Sequence, residues 1–129
     1  MKVKVYYNLH KKCYSIVSLE KENYGRVIKH ENCVPLFDAQ FKVSEKGRQR
    51  VLREQKKNVH AYVVGTWVSE FVPRGAVRLA TYNPYKYNSF VDATSKNSLA
   101  KAKQVLLSVY IQPLMSEGHR KTSHIYYVA

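Results

Sequence analysis

The sequence predicts an α+β fold: an antiparallel sheet of about five or six strands with one main helix, about residues 44–57, packed on it. Three observations carry this. Short runs alternate apolar and polar residues with a period of two, the first being "KVKVYY" at 2–7. Turn-forming residues such as "NLHKK" and "KENYG" separate successive runs, which points to a meander. One stretch alone, beginning at Ser44, combines a capping residue with helical spacing. At 129 residues the chain reads as a single domain, 1–129, able to bury roughly two-thirds of its unfolded surface.

In order, Val3, Val5 and Tyr7 form one face of a first strand, and "CYSIVSLE" returns as its hairpin partner after a loop of about five residues. Gly25 turns the chain into a third strand, "RVIKH". Pro35 favours an edge or a strand break, so only Phe41 and Val43 are expected as a short strand leading into the helix. Ser44 caps that helix, Glu45 sits in its first turn, and the end falls near Asn58. "VHAYVVGTWVSEF" is the best central strand, with Gly65 marking a bulge or a close backbone approach. After the turn "VPRGAV" comes a short strand, "VRLATY", and then the tyrosine-rich "YNPYKYNSF" at 82–90. Residues 98–104 fit either a short helix capped by Ser98 or the start of a strand; Val105, Leu107, Val109 and Ile111 alternate as a strand. "MSEGHRKTS" reads as a polar loop and "HIYYVA" as a last strand.

The composition, 45% hydrophobic and 24% charged, is that of a folded protein and excludes a disordered polycation. Yet the net charge is +13, with 14 basic against 6 acidic residues in 1–60 and 8 against 3 in 61–129. A basic excess spread over the whole domain points to a polyanionic partner: nucleic acid, anionic lipid or an acidic protein. "AYVVGTWV", the longest apolar stretch, is far short of the roughly 20 residues of a membrane span, and the first residues lack the apolar core of a secretory signal. No membrane partner and a cytoplasmic setting are expected, with Cys13 and Cys33 as reduced thiols or metal ligands.

Two clusters suit nucleic acid. Lys46, Arg50, Arg53 and Lys57 follow one another at i, i+4, i+7 and i+11, which places all four within about 60° on a helix. Only Glu54 is close enough to offset their repulsion, and a polyanion lying across the stripe would relieve it. Arg48, Val51, Leu52 and Gln55 fall on the opposite side, facing the sheet, with the Arg48 head reaching to water. In the second cluster Tyr82, Tyr85, Tyr87 and Lys86 alternate with Asn83 and Asn88, side chains that can stack on unpaired bases while the lysine meets phosphate. The competing readings are a solvated helix face and a loop whose tyrosines close the core.

Two His-x-x-Cys pairs, His10 with Cys13 and His30 with Cys33, supply the ligand types of a tetrahedral zinc site with 16 residues between them. Against zinc, neither loop has a Gly-containing knuckle and Lys11 and Lys12 would crowd a cation; free thiols are the alternative. Catalysis finds little support. Five histidines could serve a metal-independent ribonuclease, but no P-loop, nucleophile elbow, His-Glu-x-x-His or paired-carboxylate motif is present. The sequence favours a binding protein over an enzyme.

The order "YYNLHKKCYSI", "GRVIKH", "FKVSEKGRQRVLREQKKNVHAYVVG" and "YNPYKYNSFV" resembles a group of small proteins encoded by tailed bacteriophages and prophages. The resemblance covers about residues 1–92, is most specific over 41–65, and does not extend past Asp92. It implies action in the host bacterial cytoplasm during infection, with two ways of acting: binding DNA or RNA, or disabling a host protein or ribonucleoprotein defence complex. It carries over no activity and no site residue. The expectation is binding of nucleic acid, single-stranded or RNA favoured, through the helix stripe and the tyrosine loop.

Overall fold

Val3 and Val5 are buried while Lys2 is exposed and Lys4 lies along the surface with its ammonium 4.3 Å from the Tyr62 ring centre, so the first alternation is realised as strand β1 (Lys2–Asn8). The computed structural model describes residues 1–113 and 119–129. After β1 come β2 (Cys13–Ser18), β3 (Val27–Glu31), β4 (Cys33–Val43), α1 (Glu45–Glu54), β5 (Ala61–Trp67), β6 (Arg78–Thr81), β7 (Phe90–Asp92), β8 (Ser98–Leu99), β9 (Lys101–Pro113) and β10 (His119–Val128). A short 3-10 turn, Lys21–Asn23, joins β2 to β3. The α+β class stands, but the sheet has ten antiparallel strands, not five or six, in the order β3-β2-β1-β5-β4-β9-β10-β6-β7-β8. The strands that the sequence did not show are β7 and β8, three and two residues long, too short to show a period.

Several expectations change. Residues 33–43 form one eleven-residue strand in the middle of the sheet despite Pro35. The Pro35 carbonyl accepts from Val68 N–H, so its hydrogen-free nitrogen faces the same side, just beyond the end of β5 at Trp67, where no ladder bond is lost. Residues 98–104, open between helix and strand in the sequence, are strand on either side of a bend at Ala100, and residues 119–123, expected in a loop, are the start of β10. The rest of that expected loop, 115–118, lies outside the described residues.

The sheet is strongly coiled. Phe41 on β4 and Phe90 on β7 stand four strand positions apart, about 19 Å in a flat sheet, yet their ring centres are 5.1 Å apart. Strands β2 and β9, also four positions apart, likewise make contact. Coiling encloses one core around Val3, Val5, Ile16, Leu36, Val63, Val105 and Leu107. A bulge at Asp38, whose φ is 49°, shifts the buried positions of β4 from Val34 and Leu36 to Ala39 and Phe41. Gly65 of β5 passes against that bulge: a Cβ there would lie 3.0 Å from the Phe37 carbonyl and 3.3 Å from the Ala39 Cα. This is the close backbone approach that an isolated glycine in a strand signals. No helix among the described residues is long and apolar enough to cross a membrane.

Candidate nucleic-acid interface

Helix α1 is built where its sequence signals place it. Ser44, in extended backbone, accepts a hydrogen bond from Gly47 N–H at 3.2 Å, and Glu45 follows in the first turn, where a carboxylate suits the helix dipole. Bonds from Gln49 and Arg48 hold the Glu45 carboxyl below its usual range. The end differs from expectation. Gln55 adopts the left-handed conformation and returns its N–H to Val51, closing the helix at Glu54 rather than Lys57. Past Leu52 the residues Gln55, Lys56, Lys57 and Asn58 are polar, so a longer helix would bury nothing to offset its ordering entropy. The helix is also not laid over a sheet face. It continues directly from the β4–β5 pair, where Val43 opposes Ala61 and Ser44 N–H binds the His60 carbonyl.

The cationic stripe is thereby shortened. Lys46, Arg50 and Arg53 remain together on the exposed side of α1, and Arg50 pairs with Glu54 at 3.1 Å. Lys57 is exposed on the connecting segment, off the helix. Lys46 and Arg50 border a shallow groove of about 310 Å³ shared with Ser44, Gly47, Asn58 and Val59. The Asn58 Oδ1 is buried there without a hydrogen-bond partner among the described residues.

Arg48 corrects the sequence reading most. Its head does not reach to water: the side chain is only 16% exposed, and Nε donates to the carbonyls of Pro84 at 3.0 Å and Tyr87 at 2.9 Å while Nη1 pairs with Glu45 at 2.9 Å. The guanidinium thus pins the 82–90 segment to the helix. A second tie is the 2.7 Å bond between His60 Nε2 and the Tyr82 hydroxyl. The helix approaches His60 so closely that a Cβ on Gly47 would fall 2.5 Å from its Cβ.

Within that segment the four candidates have different surroundings. Tyr82 is half-buried, with its ring centre 5.3 Å from that of Phe90 and 5.4 Å from His60, and burial pushes its hydroxyl up to about 12, against a smaller pull from Arg48. Tyr87 is half-buried. Tyr85, 60% exposed, and Lys86 are the side chains presented to solvent. Because Arg48 projects from the side of α1 opposite Lys46, Arg50 and Arg53, the loop and the stripe flank the helix, about one helix diameter, 10–12 Å, apart.

The two His-x-x-Cys pairs do not assemble: among the described residues no three His, Cys, Asp or Glu side chains gather as a metal site. His10 is exposed in the β1–β2 turn, His30 bonds Ser15 Oγ at 2.9 Å, Cys33 Sγ lies 3.5 Å from Ser108 Oγ, and both thiols are free. Sequence reasoning missed the Arg48 clamp, although a cation on the side of a helix that carries its apolar residues is itself a signal that an acceptor must be near. It also missed an aromatic ladder on the β9–β10 hairpin. The Tyr110 and His124 ring centres lie 4.9 Å apart with planes 11° from parallel, and Tyr126 continues the stack at 6.0 Å.

Fold and site define a small, strongly basic protein on one coiled antiparallel sheet, with a cationic helix and a clamped tyrosine loop at the end of two central strands. The chain belongs to the phage family described as Mycobacterium phage L5 gene 82 protein, which matches residues 1–111. It is similar to the Gene 82 protein of Mycobacterium phage L5, 38% identical over 115 residues that cover 84% of this chain and 90% of that protein. The family match runs past Asp92, where the resemblance read from the sequence stopped, and takes in β8 and most of β9. No solved structure matches the chain.

Proposed function

We propose that the protein binds nucleic acid in the host cytoplasm, with single strands, RNA included, preferred over duplex. Lys46, Arg50 and Arg53 contact phosphates, Lys57 adds charge from the adjoining segment, and Tyr85, with Lys86 beside it, offers a face to an unpaired base. Tyr82 and Tyr87 act behind them by holding the loop in place.

The observation that carries this reading is the Arg48 clamp. It fixes the tyrosine loop on one flank of a helix whose other flank is cationic. A duplex is stiff over tens of base pairs and meets one flank at a time, whereas a single strand can bend round the helix and reach both.

The test is a set of alanine variants. Lys46→Ala, Arg50→Ala and Arg53→Ala should each weaken binding by similar factors for every sequence and lower the salt slope by about one per phosphate contact removed. Tyr85→Ala should weaken single-strand binding with little change in that slope. Affinity and slope unchanged in the triple variant would reduce the stripe to a solvated helix face.

A further inference from the structure

A second basic feature lies well away from α1. A cleft of about 550 Å³ is lined by Phe37, Asp38, Arg74, Arg78, Lys103 and Gln104, with small apolar residues between them. Phe37 lies six residues before the β4 end that carries α1, about 20 Å along an extended strand. From this cleft we infer a binding site for a nucleotide unit, with its phosphate among Arg74, Arg78 and Lys103 and its base against Phe37.

The site is constructed rather than a chance meeting of surface cations. Gln104 is 3% exposed, and its amide spans the incoming loop: Oε1 accepts from Arg74 N–H at 2.9 Å and Nε2 donates to the Val72 carbonyl at 2.7 Å. The backbone that bears Arg74 is therefore fixed. Gly75 follows, so close to Val128 that a Cβ would meet its Cγ1 at 3.0 Å. Arg78 is held in β6 opposite Tyr127. None of the three cations is in an ion pair among the described residues, so their charge is free for a ligand.

Two features select a nucleotide over a simple anion. Phe37 is 37% exposed and can take a flat ring. Asp38, held in the left-handed conformation at the bulge, repels phosphate but accepts from sugar hydroxyls or base N–H groups. The mixture of three cations, one carboxylate and an aromatic matches the mixed chemistry of a nucleotide.

Isothermal titration of the intact chain with nucleoside 5′-monophosphates, the parent nucleosides, inorganic phosphate and short single-stranded oligonucleotides tests this. Arg74→Ala and Lys103→Ala should each weaken mononucleotide binding about tenfold or more, as loss of a charge-assisted bond does. Asp38→Asn keeps a residue that tolerates the left-handed backbone and should weaken nucleotide but not inorganic phosphate binding. The Lys46, Arg50, Arg53 triple alanine variant should leave the mononucleotide unaffected, which separates this site from the helix face. Binding of the oligonucleotide alone, still lost in Arg74→Ala, would place the nucleotide unit within a strand and uphold the site. The inference is overturned if neither ligand binds in an Arg74- and Lys103-dependent way, or if inorganic phosphate binds as tightly as the nucleotide and Asp38→Asn changes nothing.

Discussion

Asp92 shows how single residues set the response of this fold to acid. Its carboxylate takes the Tyr127 hydroxyl at 2.5 Å and the N–H groups of Thr94 and Ser95 at 2.8 and 2.9 Å. The tyrosine bond first, then the backbone bonds, hold the carboxyl at about 2, below its ordinary 3.8. A lowered folded-state value means a stabilisation that is complete above the unfolded value and disappears as pH falls from about 4 towards about 2. Tyr127→Phe should therefore flatten the fall of the urea midpoint across that window, and curves of equal steepness would contradict the assignment. Arg48 is the other decisive residue. Lysine keeps its charge but cannot serve the two loop carbonyls from one nitrogen while pairing Glu45 from another, so Arg48→Lys should cost about 1–3 kcal/mol. It should also speed amide exchange at Lys86 and Tyr87, whose N–H groups close the turn on Asn83. Unchanged exchange there would mean that the loop holds itself.

Among the elements, α1 and its seat on His60 give the sharpest prediction. In an exposed helix, Gly→Ala stabilises by about 1 kcal/mol. Here Gly47→Ala should instead destabilise by about 1–3 kcal/mol, because the new methyl overlaps His60, and a gain in stability would show that the helix is free to move away. The same contact shows what was legible in the sequence. The Ser44 cap, the β1 alternation and the meaning of Gly65 depend on neighbours within a few residues, and each was readable. The helix end was not, because Gln55 takes a left-handed conformation for which the local signal is normally glycine or asparagine. Residues 98–104 stayed open between helix and strand because pairing with β4 decides them, through contacts such as Ala39 with Ala102. Arg48 was placed on the correct side of the helix, but its acceptors lie 36 and 39 residues along the chain.

At the scale of the molecule, the coil of the sheet was beyond sequence reasoning, since it shows in contacts such as Phe41 with Phe90, four strands apart in the sheet order. The charge was legible from the outset, and the fold gives it form: a helix flank and a cleft at separate places on one sheet. If its cations meet phosphates as proposed, a chain of net charge +13 should lose affinity for nucleic acid steeply as salt rises, because each phosphate contact releases counterions. The most direct test of nucleic-acid binding is a fluorescence-anisotropy titration with labelled single-stranded RNA, single-stranded DNA and duplex DNA at two salt concentrations. Binding around micromolar or tighter, steeply weakened by salt and stronger for single strands than for duplex, is the predicted result. Absence of binding to all three at low salt would contradict it and turn the α1 face towards a host protein partner.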